Sequence, residues 1–122
     1  MTTTPRNLVV MITKGPHDEL ASVGFTIACG GISSGLKVSI FLTGSGVEIV
    51  RKRASDMVEV KPLDPLTTLV NDFIARGGNV LACTPCVKSR GFEAEELVDG
   101  VIISGASPMH ELIQAGAGTL SF

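Results

Sequence analysis

Residues 64–91, DPLTTLVNDFIARGGNVLACTPCVKSRG, read as a helix, a strand and a second helix in succession, and that order decides how the rest of the chain is read. Asp64-Pro65 is a cap followed by a first-turn proline. Leu66, Leu69, Val70, Phe73 and Ile74 then recur at the spacing of one helical face, which Gly77-Gly78 ends. Asn79-Val80-Leu81-Ala82 has the near-continuous apolar composition of a strand buried on both faces, and it delivers Cys83 to its end. Pro85 suits the first turn of a helix running to Arg90 and stopped by Gly91. The residue before a proline is pushed from helical angles, so Thr84 is the expected N-cap and Cys83 lies one position outside the helix.

The same alternation extends in both directions. Toward the N-terminus, residues 7–13 (NLVVMIT) form an apolar run of strand length. The turn Lys14-Gly15-Pro16-His17 follows it, and Asp18 caps a helix through Ala21, Phe25, Ala28 and Ile32. Residues 36–42 are a second strand, after which Thr43-Gly44-Ser45-Gly46 opens a helix whose end carries Arg51-Lys52-Arg53. Residues 54–63 read as loop or a short extended piece. Toward the C-terminus, Glu93, Glu95 and Glu96 suit the first turn of a short helix, residues 100–104 (GVIIS) a fourth strand, Ser107-Pro108 the start of a helix ending at Gly116, and residues 119–122 a fifth strand. Strands that alternate with helices and are apolar throughout imply an α/β fold, a parallel sheet sandwiched between helices, in one domain spanning residues 1–122. Ligands in such sheets bind beyond the carboxyl ends of the strands, where the 13–17, 43–46 and 83–86 loops emerge.

Composition narrows the function classes. A net charge of -2 gives no general attraction to nucleic acid or to an anionic membrane, and Arg51-Lys52-Arg53, the one basic run, has no aromatic residue interleaved with it. The polar start, residues 1–7, precedes an apolar stretch too short for a signal-peptide core. Residues 20–32 are broken by Gly24, Gly30 and Gly31 and fall short of the ~20 residues of a membrane span. An odd count of three cysteines fits a reducing compartment, so the expected location is cytoplasmic. A mean hydropathy of +0.39 with no Trp or Tyr means plentiful aliphatic surface, some of it buried between subunits of a homo-oligomer.

The chemistry is expected at Cys83 and Cys86. A sulfur beside the free amides and positive dipole of a helix start favours thiolate, the form that attacks sulfur. Three alternatives stand beside a reactive site. A zinc site lacks its other half, since His17, His110 and Cys29 are isolated from the pair in sequence, and no metal or organic cofactor is expected. A structural disulfide across so short a loop gains little chain entropy. Two inert buried cysteines are the plainest alternative, but the polar Thr84, Pro85 and the position at a strand end speak against burial. Around the pair, Lys14 and His17 are candidates to hold an anionic sulfur group. Gly15, Gly44 and Gly46 leave room for a terminal sulfur, and Thr43, Thr84 and Arg90 complete the substrate-binding set, each with a plain loop or helix-end role as its alternative. Cys29, inside the first helix, reads as core.

Cys83-x-x-Cys86-x-x-x-Arg90-Gly91, with Gly77-Gly78, the Lys14-Gly15-Pro16 turn, the segment 41–47 (FLTGSGV) and the ending Leu120-Ser121-Phe122, resembles the DsrE/DsrF-like sulfur-relay family over nearly the whole chain. The resemblance implies a small three-layer α/β domain with a five-stranded parallel sheet, assembled into homo- or hetero-oligomers such as trimers or hexamers. It also implies that Cys83, eight residues before Gly91, carries sulfane sulfur as a persulfide between donor and acceptor proteins or small sulfur compounds. Cys86 occurs in only part of the family, and some members lack the carrier cysteine; a non-catalytic binding or assembly subunit of the same fold is a further reading of this chain, since the fold would survive without thiol chemistry. Cys-Thr-Pro-Cys also resembles the thioredoxin pattern, which would make the chain a thiol-disulfide oxidoreductase. Its late position in the chain, without an opposing cis-proline signal, argues against that class.

Overall fold

The computed structural model describes residues 6–122; the polar stretch 1–5 lies outside the described residues. Five parallel strands, β1 (Asn7–Ile12), β2 (Lys37–Leu42), β3 (Asn79–Cys83), β4 (Val101–Ser104) and β5 (Gly118–Ser121), form one sheet in the order β4-β3-β2-β1-β5. The chain therefore steps outward from β1 to β4 and returns across the whole sheet to place β5 on the far side of β1. Four α-helices connect the strands: α1 (Glu19–Ser33), α2 (Leu66–Ala75), α3 (Thr84–Ser89) and α4 (Ser107–Gln114).

Strand alternation sorts the core into two faces. Val10 and Ile12, Val38, Ile40 and Leu42, and Val80 and Ala82 point to one side, where they pack with Phe25 of α1, Phe73 of α2 and Val87 of α3. Phe25 and Phe73 meet edge to face, with centroids 6.0 Å apart and planes at 90°, a geometry that adds about 0.5–1.5 kcal/mol beyond area burial. On the other side Val9, Phe41 and Leu81 are buried, and α4 lies there through Met109, Leu112 and Ile113. The result is three layers, helices on both faces of a parallel sheet. The α4 layer is the thinner one, and Ile102 of β4, Ile113 of α4 and Leu120 of β5 keep 53%, 42% and 44% of their surface exposed.

Local expectations hold where a side chain or a glycine dictates the backbone. Asp18 caps α1 by accepting the Leu20 amide at 2.9 Å. Gly77 and Gly91 follow the ends of α2 and α3 at φ +92° and +70°, a region that L side chains rarely adopt. The proline-initiated helices start differently from expectation. Pro65 itself is the N-cap of α2, and α3 and α4 begin at Thr84 and Ser107, with Cys83 and Ala106 as N-caps and the proline in second position. Thr84 thus lies in the first turn of α3, and Cys83 rather than Thr84 occupies the cap. Residues 43–50 also depart: the segment after β2 is a 3-10 helix, Gly44–Val50, and Gly46 within it lies against the end of β1, where a Cβ would meet the Ile12 carbonyl. Residues 54–63 are loop, with turns at 54–57 and 61–62 joined by the irregular stretch 58–60. No helix among the described residues is long and apolar enough to cross a membrane.

Candidate functional site

β1, β2 and β3 are adjacent and pair in register at their carboxyl ends, Ile12 with Leu42 and Leu42 with Ala82. The three loops that leave those ends therefore emerge side by side. Loop 13–17 meets loop 43–46 directly: the Thr43 amide donates to the Ile12 carbonyl at 3.2 Å, and a Cβ on Gly15 would lie 3.6 Å from Ser45. A Cβ on Gly46 would run into the Ile12 carbonyl oxygen, so glycine there lets the loop backbone lie flat on the end of β1.

Loop 43–46 meets the cysteine pair through Cys86. The Gly44 amide donates to Cys86 Sγ at 3.2 Å, and Thr43 Oγ1 lies 3.6 Å from the same sulfur. Gly44 has φ +56°, and that left-handed turn belongs to the residue whose amide is aimed at the sulfur. Hydrogen bonds donated to a sulfur favour its anionic form. The Cys86 thiol is held below the ordinary cysteine value, first by the Thr43 hydroxyl, then by the neighbouring Cys83 thiol, the Gly44 amide and the Arg90 charge; partial burial works the other way. Cys83, in contrast, makes no side-chain bond to the amides of the helix it caps. The amide-held sulfur of this site is thus Cys86, and its amide comes from the loop after β2 instead of from α3. Both cysteines are free thiols, half-buried at the margin of the core.

Arg90 ties the far end of α3 down. Its Nη1 donates to the Cys86 carbonyl at 3.3 Å, and its Nε lies 3.5 Å from Glu48 of the 3-10 helix. Glu48 is a member of the site that the sequence does not reveal, because its partner is 42 positions away and nothing near Glu48 in the chain marks it. Lys14 and His17 are exposed and enter none of these hydrogen bonds or ion pairs. His17 instead borders, with Gly15, Ser45, Glu48 and Arg51, an open depression of about 380 Å³ on the adjoining surface. Thr84 is half-buried in the first turn of α3. Arg51, first of the basic triplet, lies 5.0 Å above the Phe92 ring and 3.8 Å from Glu96, so its charge is engaged within the chain. Among the described residues no group of three or more His, Cys, Asp or Glu side chains is placed to hold a metal ion.

Cys29 forms the contrasting thiol. It is buried on α1, its Sγ donates to the Leu69 carbonyl at 3.7 Å, and burial followed by the nearby Asp72 pushes its pKa up.

A model of the DsrE/DsrF-like family matches residues 6–122. An uncharacterized protein of Methanocaldococcus jannaschii is 31% identical over 105 residues, covering 85% of this chain and 86% of its own length. One from Methanopyrus kandleri is 30% identical over 107 residues, covering 87% and 83%. Among solved structures, the YchN protein of E. coli superposes with a TM-score of 0.74 at 19% identity, over 98% of this chain and 100% of that one. Protein MTH1491 of Methanobacterium thermoautotrophicum, of unknown function, gives 0.70 at 14% identity over 96% and 99%. At these identities the superpositions speak for the fold.

Proposed function

The chain belongs to the DsrE/DsrF-like family, and from that membership we propose that it relays sulfane sulfur, with Cys83 carrying it as a persulfide to a partner's thiol. The observation that supports this most is the pair of half-exposed free thiols at the end of β3, one of them held toward thiolate by Thr43 and Gly44. In loading, the Cys83 sulfur attacks the outer sulfur of a persulfide or polysulfide donor. The donor S–S bond breaks, its remaining sulfur leaves as a thiolate, and the Cys83 proton passes to that leaving sulfur. In delivery, an acceptor thiolate attacks the outer sulfur and Cys83 leaves. Neither step calls for a metal or organic cofactor. Thr84 and Arg90, on the helix that carries Cys86, together with Lys14, Gly15 and His17 on the adjoining surface, form the proposed surface for donor and acceptor.

Free thiols persist in a reducing compartment, so the proposal includes a cytoplasmic location. It also includes a homo-oligomer, a trimer or hexamer, supported by the apolar Ile102, Ile113 and Leu120 left exposed around the α4 layer. The test is mass spectrometry of the protein after incubation with inorganic polysulfide. We expect the mass increment of sulfur on the peptide carrying Cys83, and none at that residue in Cys83→Ser. An unmodified wild-type protein, or an equal adduct on the variant, would remove the relay.

A further inference from the structure

We propose that the Cys83–Cys86 pair has a second outcome when no acceptor arrives: Cys86 attacks the inner sulfur of the Cys83 persulfide, expels hydrosulfide, and leaves a Cys83–Cys86 disulfide that a dithiol reductant must reopen. This rests on the relay reading for the loaded state and goes beyond it in what the site produces. The balance is Cys83–S–SH plus Cys86–S⁻ giving Cys83–S–S–Cys86 plus HS⁻. The sulfane sulfur gains two electrons, the two cysteine sulfurs together lose two, and its proton departs with the leaving group.

Three observations carry the step. Cys86 Sγ is the sulfur that receives hydrogen bonds, from the Gly44 amide at 3.2 Å and with Thr43 Oγ1 at 3.6 Å, while the Cys83 sulfur has no amide of its own. The attacking thiolate is therefore Cys86, and the inner persulfide sulfur on Cys83 is the electrophile. Second, the two residues lie three apart on the opening turn of α3. Side chains at that spacing have Cβ atoms about 5–6 Å apart, and a backbone shift of about 1–2 Å at the cap, which lies outside the helical turn, brings them to the roughly 3.5–4.5 Å of a disulfide. Third, the charged groups about Cys86 are few. Arg90 on α3 faces it and is itself paired with Glu48 of the 3-10 helix at 3.5 Å; β3 contributes the Cys83 thiol, and the loop after β2 contributes the neutral Thr43 and Gly44. A thiolate so placed is favoured over that of an ordinary cysteine.

Closure predicts the class of partner that acts next. Sulfur delivery to a thiol leaves the pair reduced, whereas hydrosulfide release leaves it oxidised. A site that works by the second route needs a small dithiol protein or dithiol compound to return it to the start.

The experiment loads wild-type, Cys86→Ser and Thr43→Val proteins with inorganic polysulfide, removes excess donor without reductant, and follows hydrosulfide by bimane trapping and the cysteine pair by peptide mass. In wild-type protein, hydrosulfide should appear in step with loss of the Cys83 persulfide and gain of the Cys83–Cys86 disulfide. Cys86→Ser should keep its persulfide and release hydrosulfide at least about tenfold more slowly. Thr43→Val should close more slowly, with its pH midpoint moved upward, a shift that lost packing alone would not produce. Equal release from wild-type and Cys86→Ser, or persulfide loss without a disulfide, overturns the inference while leaving the relay intact. A protein that takes no sulfur at Cys83 sinks the relay instead, and closure is then decided with glutathione disulfide. Wild-type protein should pass to the internal disulfide while Cys86→Ser stops at Cys83–glutathione, and a wild-type protein that also stops there refutes closure.

Discussion

Cys29, between α1 and α2, and Cys86, at the carboxyl edge of the sheet, each lie against one backbone group, but with opposite hydrogen-bond polarity. At Cys29 the sulfur donates to the Leu69 carbonyl, a bond that only the thiol can make, and burial adds to the cost of charge. At Cys86 the sulfur accepts from the Gly44 amide, a bond that improves as the proton leaves. One side chain in two places is thus pushed toward neutral in the core and toward anionic at the edge. Burial is the larger cause at Cys29, and donated hydrogen bonds are the larger cause at Cys86. A helix interior has its amides already used, whereas the turn between β2 and the 3-10 helix has one to spare.

The largest effect should come from opening the buried side of this comparison. Phe73→Ala removes the ring that meets Phe25 edge to face, one turn from Cys29 on α1, and should lower stability by about 3–5 kcal/mol in chemical denaturation. Labelling of Cys29 should rise accordingly, while Cys86, which reacts from the folded state, should label at its former rate. Second, in the native wild-type protein iodoacetamide should modify Cys86 at least about a hundredfold faster than Cys29 at neutral pH. The sign follows from the two shifts. A lowered pKa puts Cys86 in its thiolate form below the range of ordinary cysteine, so its rate rises and levels off early, whereas the raised pKa of Cys29 defers its rise to more alkaline solution. Equal rates, or Cys29 the faster, would break the comparison.

Third, Thr43→Val should move the alkylation midpoint of Cys86 to higher pH and slow the reaction several-fold below it, by roughly the 0.5–1.5 kcal/mol of one hydrogen bond. Cys29 should not respond. The smallest change is expected of Arg90→Gln, since that charge lies at the protein surface and is shared with Glu48. Its effect on the Cys86 midpoint should be less than about twofold in rate and should fade with added salt. A larger loss would mean that the Arg90 bond to the Cys86 carbonyl holds α3 in position, and a crystal structure of the variant would show the helix displaced.

Much of the fold is legible in the sequence because its signals are local. The apolar runs at β1, β2, β3 and β4, the Asp18 cap and the glycine stops at Gly77 and Gly91 each act within a few residues, and the alternation they punctuate leaves a parallel α/β sheet as the way to bury every run. Helix starts are less legible. Proline fixes its own angle but not whether it stands at the cap, as at Pro65, or second in the helix, as at Pro85 and Pro108. Residues 44–50 read as an ordinary helix in the sequence, whereas the close approach of Gly46 to the Ile12 carbonyl of the adjacent strand appears only in the tertiary structure.

By itself the sequence determined that two thiols stand at the end of an apolar strand and that glycine-bearing loops leave the ends of other strands. The tertiary structure decided which sulfur those loops serve. Thr43 and Gly44 lie more than forty positions from Cys86, and the order β3-β2-β1 brings them to it, so the polarity of the sulfur's surroundings depends on strand neighbours instead of on chain neighbours. Glu48 joins the site for the same reason, through Arg90. Apolar periodicity is written into each segment separately, whereas the lateral order of strands follows from how all the segments share one core.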